Sequence, residues 1–324
     1  MSAEERPEPP DSAALTLPTH SRFPFSAITQ RPYGTWSNGS RLAVYVAVNL
    51  EHFSFGSGLG AQLVPLGTAP QPDVLNWAWR EWGNRVGAAR LLDTLASLHL
   101  PVAVLANASL AEHAPELLQL YARHGPGAEF VGHGVTNSAR QSAMSRSEEE
   151  RMVQASTAAL SKFSQKRPTG WLSPWIAESY ATPEILTAAG YEYTLNWCHD
   201  DAPTWMETGS GNLLSVPYPQ DGLNDIPAIV VRQESPQQFA AAITDAFDEM
   251  KLQAESKQGP PLVMGIALHP YLCAQPHRLG HLRSALTHVV AGSMAGDVWL
   301  CTPGDIAADV FAGALPGARR THAR

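Results

Sequence analysis

Short apolar runs alternate along this chain with longer segments whose apolar residues recur every three or four positions. Residues 42–49, LAVYVAVN, are almost continuously apolar, as expected of a strand buried on both faces. Residues 85–98 carry Val86, Leu91, Leu92, Leu95 and Leu98 at helical spacing, and 101–106 read as an apolar strand ending at Asn107. A helix over 112–124 is closed by Gly125, and a strand over 128–132 opens onto His133. Ser147 with Glu150 three residues on predicts a capping box and a helix ending near Phe163, with Glu148, Glu149 and Glu150 as its solvated first turn. Residues 167–172, RPTGWL, form a short extended piece reaching Ser173, after which Thr182 and Pro183 open a helix stopped by Gly190. Residues 191–197, 213–216, 229–231, 261–268 and 298–301 read as strands; 236–253 and 276–290 read as helices, with a short one from Pro303. Strand and helix alternate seven or eight times without a linker, which predicts an α/β fold, a parallel β/α barrel.

Polar residues fall where such a barrel would use them. Asn49 and Glu51 follow the first strand, Asn107 the second, His133 and Asn137 the third, Trp171 and Ser173 the fourth, Asp200 and Asp201 the fifth, and His269 the late apolar one. The C-terminal ends of barrel strands converge on one face, where active sites are built; an open doubly wound sheet gathers them too. In EFVGHGVTNSAR, residues 129–140, two glycines flank His133 and leave its imidazole exposed. If the chain then turns helically, Asn137 aims at the same point.

The remaining features narrow the picture. At 44% hydrophobic, the 324 residues can bury a large core. A net charge of -8 and a pI near 5.8 argue against nucleic-acid and anionic-membrane partners. Three scattered cysteines, Cys198, Cys273 and Cys301, fit free thiols in a reducing compartment, and with no secretory signal or spanning segment read in the sequence, a cytoplasmic protein is expected. Residues 1–40 read as an arm, the first dozen disordered and the rest lying on the domain or a neighbouring subunit; 41–312 form the barrel and 313–324 a tail. Glycines 56, 58 and 60 do not match a dinucleotide motif, and Trp77, Trp79 and Trp82 either line a pocket or bury their loop.

The order of these motifs, an acidic residue after strand one, Gly-His-Gly with Asn137, RPTGW, Asp200-Asp201 and Leu268-His269, resembles the polysaccharide deacetylase superfamily (NodB-homology, carbohydrate esterase family four). It is most similar to the branch of the metal-independent allantoinase and the cyclic imide hydrolases. The resemblance covers about residues 25–310, is far more specific for fold than for substrate, and implies a deformed barrel and a homo-oligomer, dimer or tetramer. By position it implies Glu51 and His133 as catalytic residues with Asn49 and with His269, whose imidazole protonates the leaving group. Arg167, Trp171 and Ser173, with Asn137 and Asp201, are then the expected substrate-binding residues. Three positions depart from the deacetylase pattern: Asn49 for the Asp that serves as general base, Glu51 for a metal-binding Asp and Asn137 for a ligand His. No cofactor is therefore expected; the alternative is zinc on Glu51, His133 and Asn137. The implied activity is hydrolysis of a carbon–nitrogen bond in a small, cyclic amide or ureide, with Glu51 as base if burial raises its pKa. The alternatives are a metal-dependent N-deacetylase of an acylated amino sugar and a non-catalytic ligand-binding barrel.

Overall fold

The computed structural model describes residues 19–314, apart from 64–71 and the single positions 126, 165, 257 and 295. The expected disorder of the first dozen residues, most of the tail and the tip of the tryptophan-bearing loop lie outside the described residues. Among the described residues nine strands form one sheet: β1 (Leu42–Leu50), β2 (Val102–Ala106), β3 (Ala128–Gly132), β4 (Gly170–Trp171), β5 (Tyr193–Thr194), β6 (Thr204–Thr208), β7 (Gly211–Ser215), β8 (Leu262–Leu268) and β9 (Val298–Leu300). They run in the order β6-β7-β5-β4-β3-β2-β1-β8, parallel except for the β6–β7 hairpin, with β9 beside the start of β1. The sheet curls into a deformed barrel whose seam, between the end strands β6 and β8, is closed by irregular chain. There the Val263 N–H donates to the Asp201 carbonyl at 2.8 Å and the Ala267 N–H to the Leu223 carbonyl at 2.9 Å.

Strand β1 shows how sequence builds the two layers. Its even-numbered residues, Leu42 to Leu50, pack outward with Leu91 and Leu95 of α2 (Ala88–Ser97) and with Phe247 and Leu286 of two long helices that precede and follow β8. Its odd-numbered residues, Ala43, Tyr45 and Ala47, fill the barrel interior with Leu105, Val131 and Leu214. Continuing the same alternation, Asn49 and Glu51 point inward at the mouth. Burial on both faces is what the continuous apolar run requires.

Several local expectations need correction. Residues 226–231 form a helical segment, not a strand, because Pro227 has no N–H for a ladder but suits a first helical turn. The capping box is Ser145 with Glu148, since Ser-x-x-Glu fits twice and only the earlier start turns Met152, Val153 and Leu160 inward. With them goes Glu149, which is fully buried and accepts from Gln141 Nε2 at 2.5 Å and Ser179 Oγ at 2.7 Å; it is not solvated. The arm lies on its own domain: Arg22 pairs with Glu184 at 2.9 Å, Phe23 stacks on His199, and Trp36 is fully buried. Trp77 and Trp79 bury their loop, Trp77 Nε1 donating to the Phe53 carbonyl and Trp79 meeting Tyr271 edge-on. No helix among the described residues is long and apolar enough to cross a membrane.

Candidate active site

Strand register brings the chemistry together. Leu50, Ala106, Gly132, Trp171, Thr194 and Ser215 are paired side by side across parallel strands, so Glu51, Asn107 and His133 each stand one residue beyond a common row. On the other side of β1, Val48 pairs with Leu268, which sets His269 level with Asn49. The result is a cavity of about 140 Å³ at the barrel mouth, lined by Asn49, Glu51, His133, Asn137, Ser173 and His269 among others.

The glycines around His133 serve packing. A Cβ on Gly132 would lie 2.4 Å from the Trp171 ring, and Gly134 has φ +63° with Pro174 against it. His133 is consequently buried, only 2% exposed, whereas the motif suggested an exposed imidazole. Asn137 converges with it through a turn, not a helix.

Backbone groups fix which way each amide faces. The His52 N–H donates to Asn107 Oδ1 at 2.8 Å, leaving Asn107 Nδ2 to donate to the His133 carbonyl and, at 2.9 Å, to Asn137 Oδ1. Asn137 must therefore turn its NH2 toward Glu51 Oε1. Tyr271 donates its hydroxyl proton to Glu51 Oε2 at 2.7 Å.

The two histidines are held by different partners. His133 Nδ1 lies 2.8 Å from the Leu172 carbonyl, which can only accept, so the proton sits on Nδ1 and the lone pair on Nε2. That Nε2 is buried, without a hydrogen-bond partner, 3.7 Å from Glu51 Oε1. His269 Nδ1 is 2.6 Å from Asp225 Oδ1, whose second oxygen accepts the His269 N–H at 2.7 Å, and its Nε2 is 3.5 Å from Glu51 Oε1. Burial opposes a charge on His269, but Asp225 and then Glu51 outweigh it and raise the imidazole to about 10. Burial likewise pushes Glu51 up, yet the His269 charge and the facing His133 bring it down to about 2. The expectation that burial raises Glu51 is thus reversed: Glu51 and His269 form a buried ion pair.

Comparison with solved structures decides the fold. Puue allantoinase superposes with a TM-score of 0.75 at 22% identity, covering 90% of this chain and 99% of that one. A probable polysaccharide deacetylase from Pseudomonas aeruginosa PAO1 gives 0.75 at 23% identity, covering 92% and 100%. This is the polysaccharide deacetylase fold. In sequence, the peptidoglycan deacetylase of Helicobacter pylori (strain ATCC 700392 / 26695) is 22% identical over 235 residues, 64% of this chain and 79% of that protein. No family model matches the sequence.

Zinc does not fit this version of the deacetylase fold. Asn137 offers hydrogens, not its oxygen, to the shared point, and the cationic His269 already neutralises the carboxylate a metal would need. Among the described residues no three His, Cys, Asp or Glu side chains are grouped to hold an ion.

Not every expected residue reaches the cavity. Ser173 does, and its Oγ accepts from Trp171 Nε1 at 3.2 Å and Asn196 Nδ2 at 2.9 Å, which leaves its own hydroxyl proton uncommitted. Asn49 donates to the Tyr218 hydroxyl at 3.1 Å. Trp171 is fully buried behind the wall. Arg167 is placed elsewhere, donating to the Gly190 and Ala189 carbonyls at the end of the helix before β5. Asp201 contributes its carbonyl to the barrel seam while its side chain stays outside the cavity. Sequence reasoning missed Asp225, Tyr271, Tyr218 and Gln220. Asp225 precedes Ile-Pro and looks like an ordinary helix cap; only Tyr271, two residues after His269, carried a usable signal.

Proposed function

We propose that the chain is a hydrolase opening a carbon–nitrogen bond in a small cyclic amide or ureide, without a metal cofactor. One observation carries this: two imidazoles, His269 held by Asp225 and His133 with an unpartnered Nε2, face one carboxylate at 3.5 and 3.7 Å inside one small cavity. A cavity of about 150 Å³ takes one benzene-sized ring, which suits a single five- or six-membered ring better than a sugar polymer. The likeness in fold to an allantoinase and in sequence to a peptidoglycan deacetylase supports amide hydrolysis generally.

In this reading His133 Nε2 takes a proton from water as the water oxygen attacks the ring carbonyl. The Ser173 hydroxyl donates to the developing oxyanion. His269 then gives its Nε2 proton to the ring nitrogen as the C–N bond breaks, and the proton on His133 returns to His269 through solvent. Glu51, too weak a base at a pKa of about 2, keeps His269 charged and orients the water. The products are an amide, amine or urea nitrogen and a carboxylic acid, which loses its proton to solvent and leaves as the carboxylate.

The test is turnover of hydantoin, allantoin, succinimide and an N-acetylated sugar by wild type and Glu51→Gln. Ring opening by wild type at least tenfold faster than by the variant is expected; no ring opened above the variant's rate would leave only a binding protein. Metal-dependent deacetylation, the competing reading, predicts that the acetylated sugar alone is cleaved.

A further inference from the structure

Four side-chain amides line the cavity, and three have hydrogen-bond partners within the protein. Asn137 is set through Asn107, Asn49 donates to Tyr218, and Asn224 donates to the Pro219 carbonyl at 3.1 Å while accepting from the Ile226 N–H at 3.0 Å. Gln220 differs: its Nε2 is buried and has no hydrogen-bond partner. Buried amides are nearly always satisfied, so an exception at a cavity wall calls for an explanation. Looseness of the segment does not supply one. The Tyr45 hydroxyl holds the Pro217 carbonyl at 2.6 Å, Asn224 holds that of Pro219, and the Leu223 carbonyl is bonded to β8. Pro219 lies so near β8 that a Cβ on Gly265 would come within 2.8 Å of it. The amide is presented on a fixed backbone with nothing to bind.

His133 Nε2 is the other unpartnered buried atom of this cavity. With His133 Nε2 turned to the attacking water, the amide donor of Gln220 is left over and is complementary to a ring carbonyl beyond the one attacked. The charges agree, since Glu51 and His269, the ion pair in the cavity lining, offset each other and leave the wall without a net charge to hold an ionic substrate. We propose that Gln220 is a specificity-determining residue that donates to a second ring carbonyl, one that the reaction leaves intact. The substrate class is then an uncharged imide or ureide, an N–H flanked by two carbonyls, in preference to a simple lactam. This rests on the hydrolytic reading above and names the substrate for it.

The experiment uses the full chain, wild type and Gln220→Met, with hydantoin and succinimide as substrates and 2-pyrrolidinone as a one-carbonyl competitive inhibitor. A variant lacking the donor should lose roughly tenfold to a hundredfold in kcat/KM on both two-carbonyl rings, chiefly through KM. Inhibition by 2-pyrrolidinone should stay within about twofold, because that ring never used Gln220. Gln220→Ala, checked by thermal unfolding, serves if methionine packs poorly. Equal losses on all three probes, or no loss on any, overturn the assignment while leaving ring hydrolysis in place. A wild type that opens neither ring removes both readings together.

Discussion

Asp225 decides the protonation of the catalytic pair. It is fully buried, accepts both the backbone N–H and the Nδ1 proton of His269, and is the largest influence holding that imidazole charged against burial. His269 can act as an acid only while protonated, so activity should fall as pH rises through about 10. Asp225→Asn removes the stabilising charge, lowers the imidazole's pKa and should bring this alkaline limb to lower pH. At neutral pH the variant should lose on the order of 10² to 10⁴ in kcat/KM, the usual worth of a general acid. A kcat/KM profile of the variant with its alkaline limb unmoved would contradict the assignment. Asn137 yields a second prediction at this scale. Its amide is locked with the NH2 toward Glu51, so exhaustive chelation should leave kcat/KM unchanged within about twofold; loss on chelation and recovery with zinc would show that the amide turns over to bind metal.

At the scale of elements, the turn after β3 couples packing to chemistry. Gly132 is the last residue of β3, pairs with Trp171 of β4, and has that indole where a side chain would be. Gly132→Ala would force the ring or the strand aside, costing about 1–3 kcal/mol as overpacking does, and would shift the adjacent His133. A lowered denaturation midpoint together with reduced kcat is expected; a midpoint equal to wild type would mean the ring gives way freely. The same element shows what a sequence can and cannot disclose. Long strands and helices were legible because burial imposes a period, and Glu51, His133, Asn137 and His269 because they sit at the ends of such strands. Strands β4 and β5 fall within the stretches 167–172 and 191–197 that read as extended, though each keeps only two residues, whereas β6, which pairs only with its hairpin neighbour, was not legible. Asp225, Gln220 and Tyr218 belong to the irregular seam, where no periodicity exists and only the folded register of β8 brings the chain to the mouth. Arg167 matched its motif by type, yet its guanidinium is used up on helix-end carbonyls.

For the whole molecule, one buried ion pair closing the barrel mouth ties global stability to pH. His269 is raised from its ordinary 6.5 to about 10, so its contribution is complete below 6.5 and is lost as pH rises through about 10. Glu51 is lowered from 4.5 to about 2, so its contribution is complete above 4.5 and is lost as pH falls through about 2. The pair therefore stabilises the fold most fully between 4.5 and 6.5 and progressively less outside that window. Other partly buried acids, Glu129 and Glu178 among them, are pushed up by desolvation and add their own pH dependence, so the raw curve belongs to more than the mouth. Subtracting the unfolding temperature of Glu51→Gln from that of wild type at each pH removes those shared effects. The difference should be flat from 4.5 to 6.5 and shrink toward both extremes, the alkaline decline tracking the loss of activity because the same proton on His269 serves both. A difference that does not vary with pH would mean that Glu51 and His269 do not form an ion pair in the folded chain.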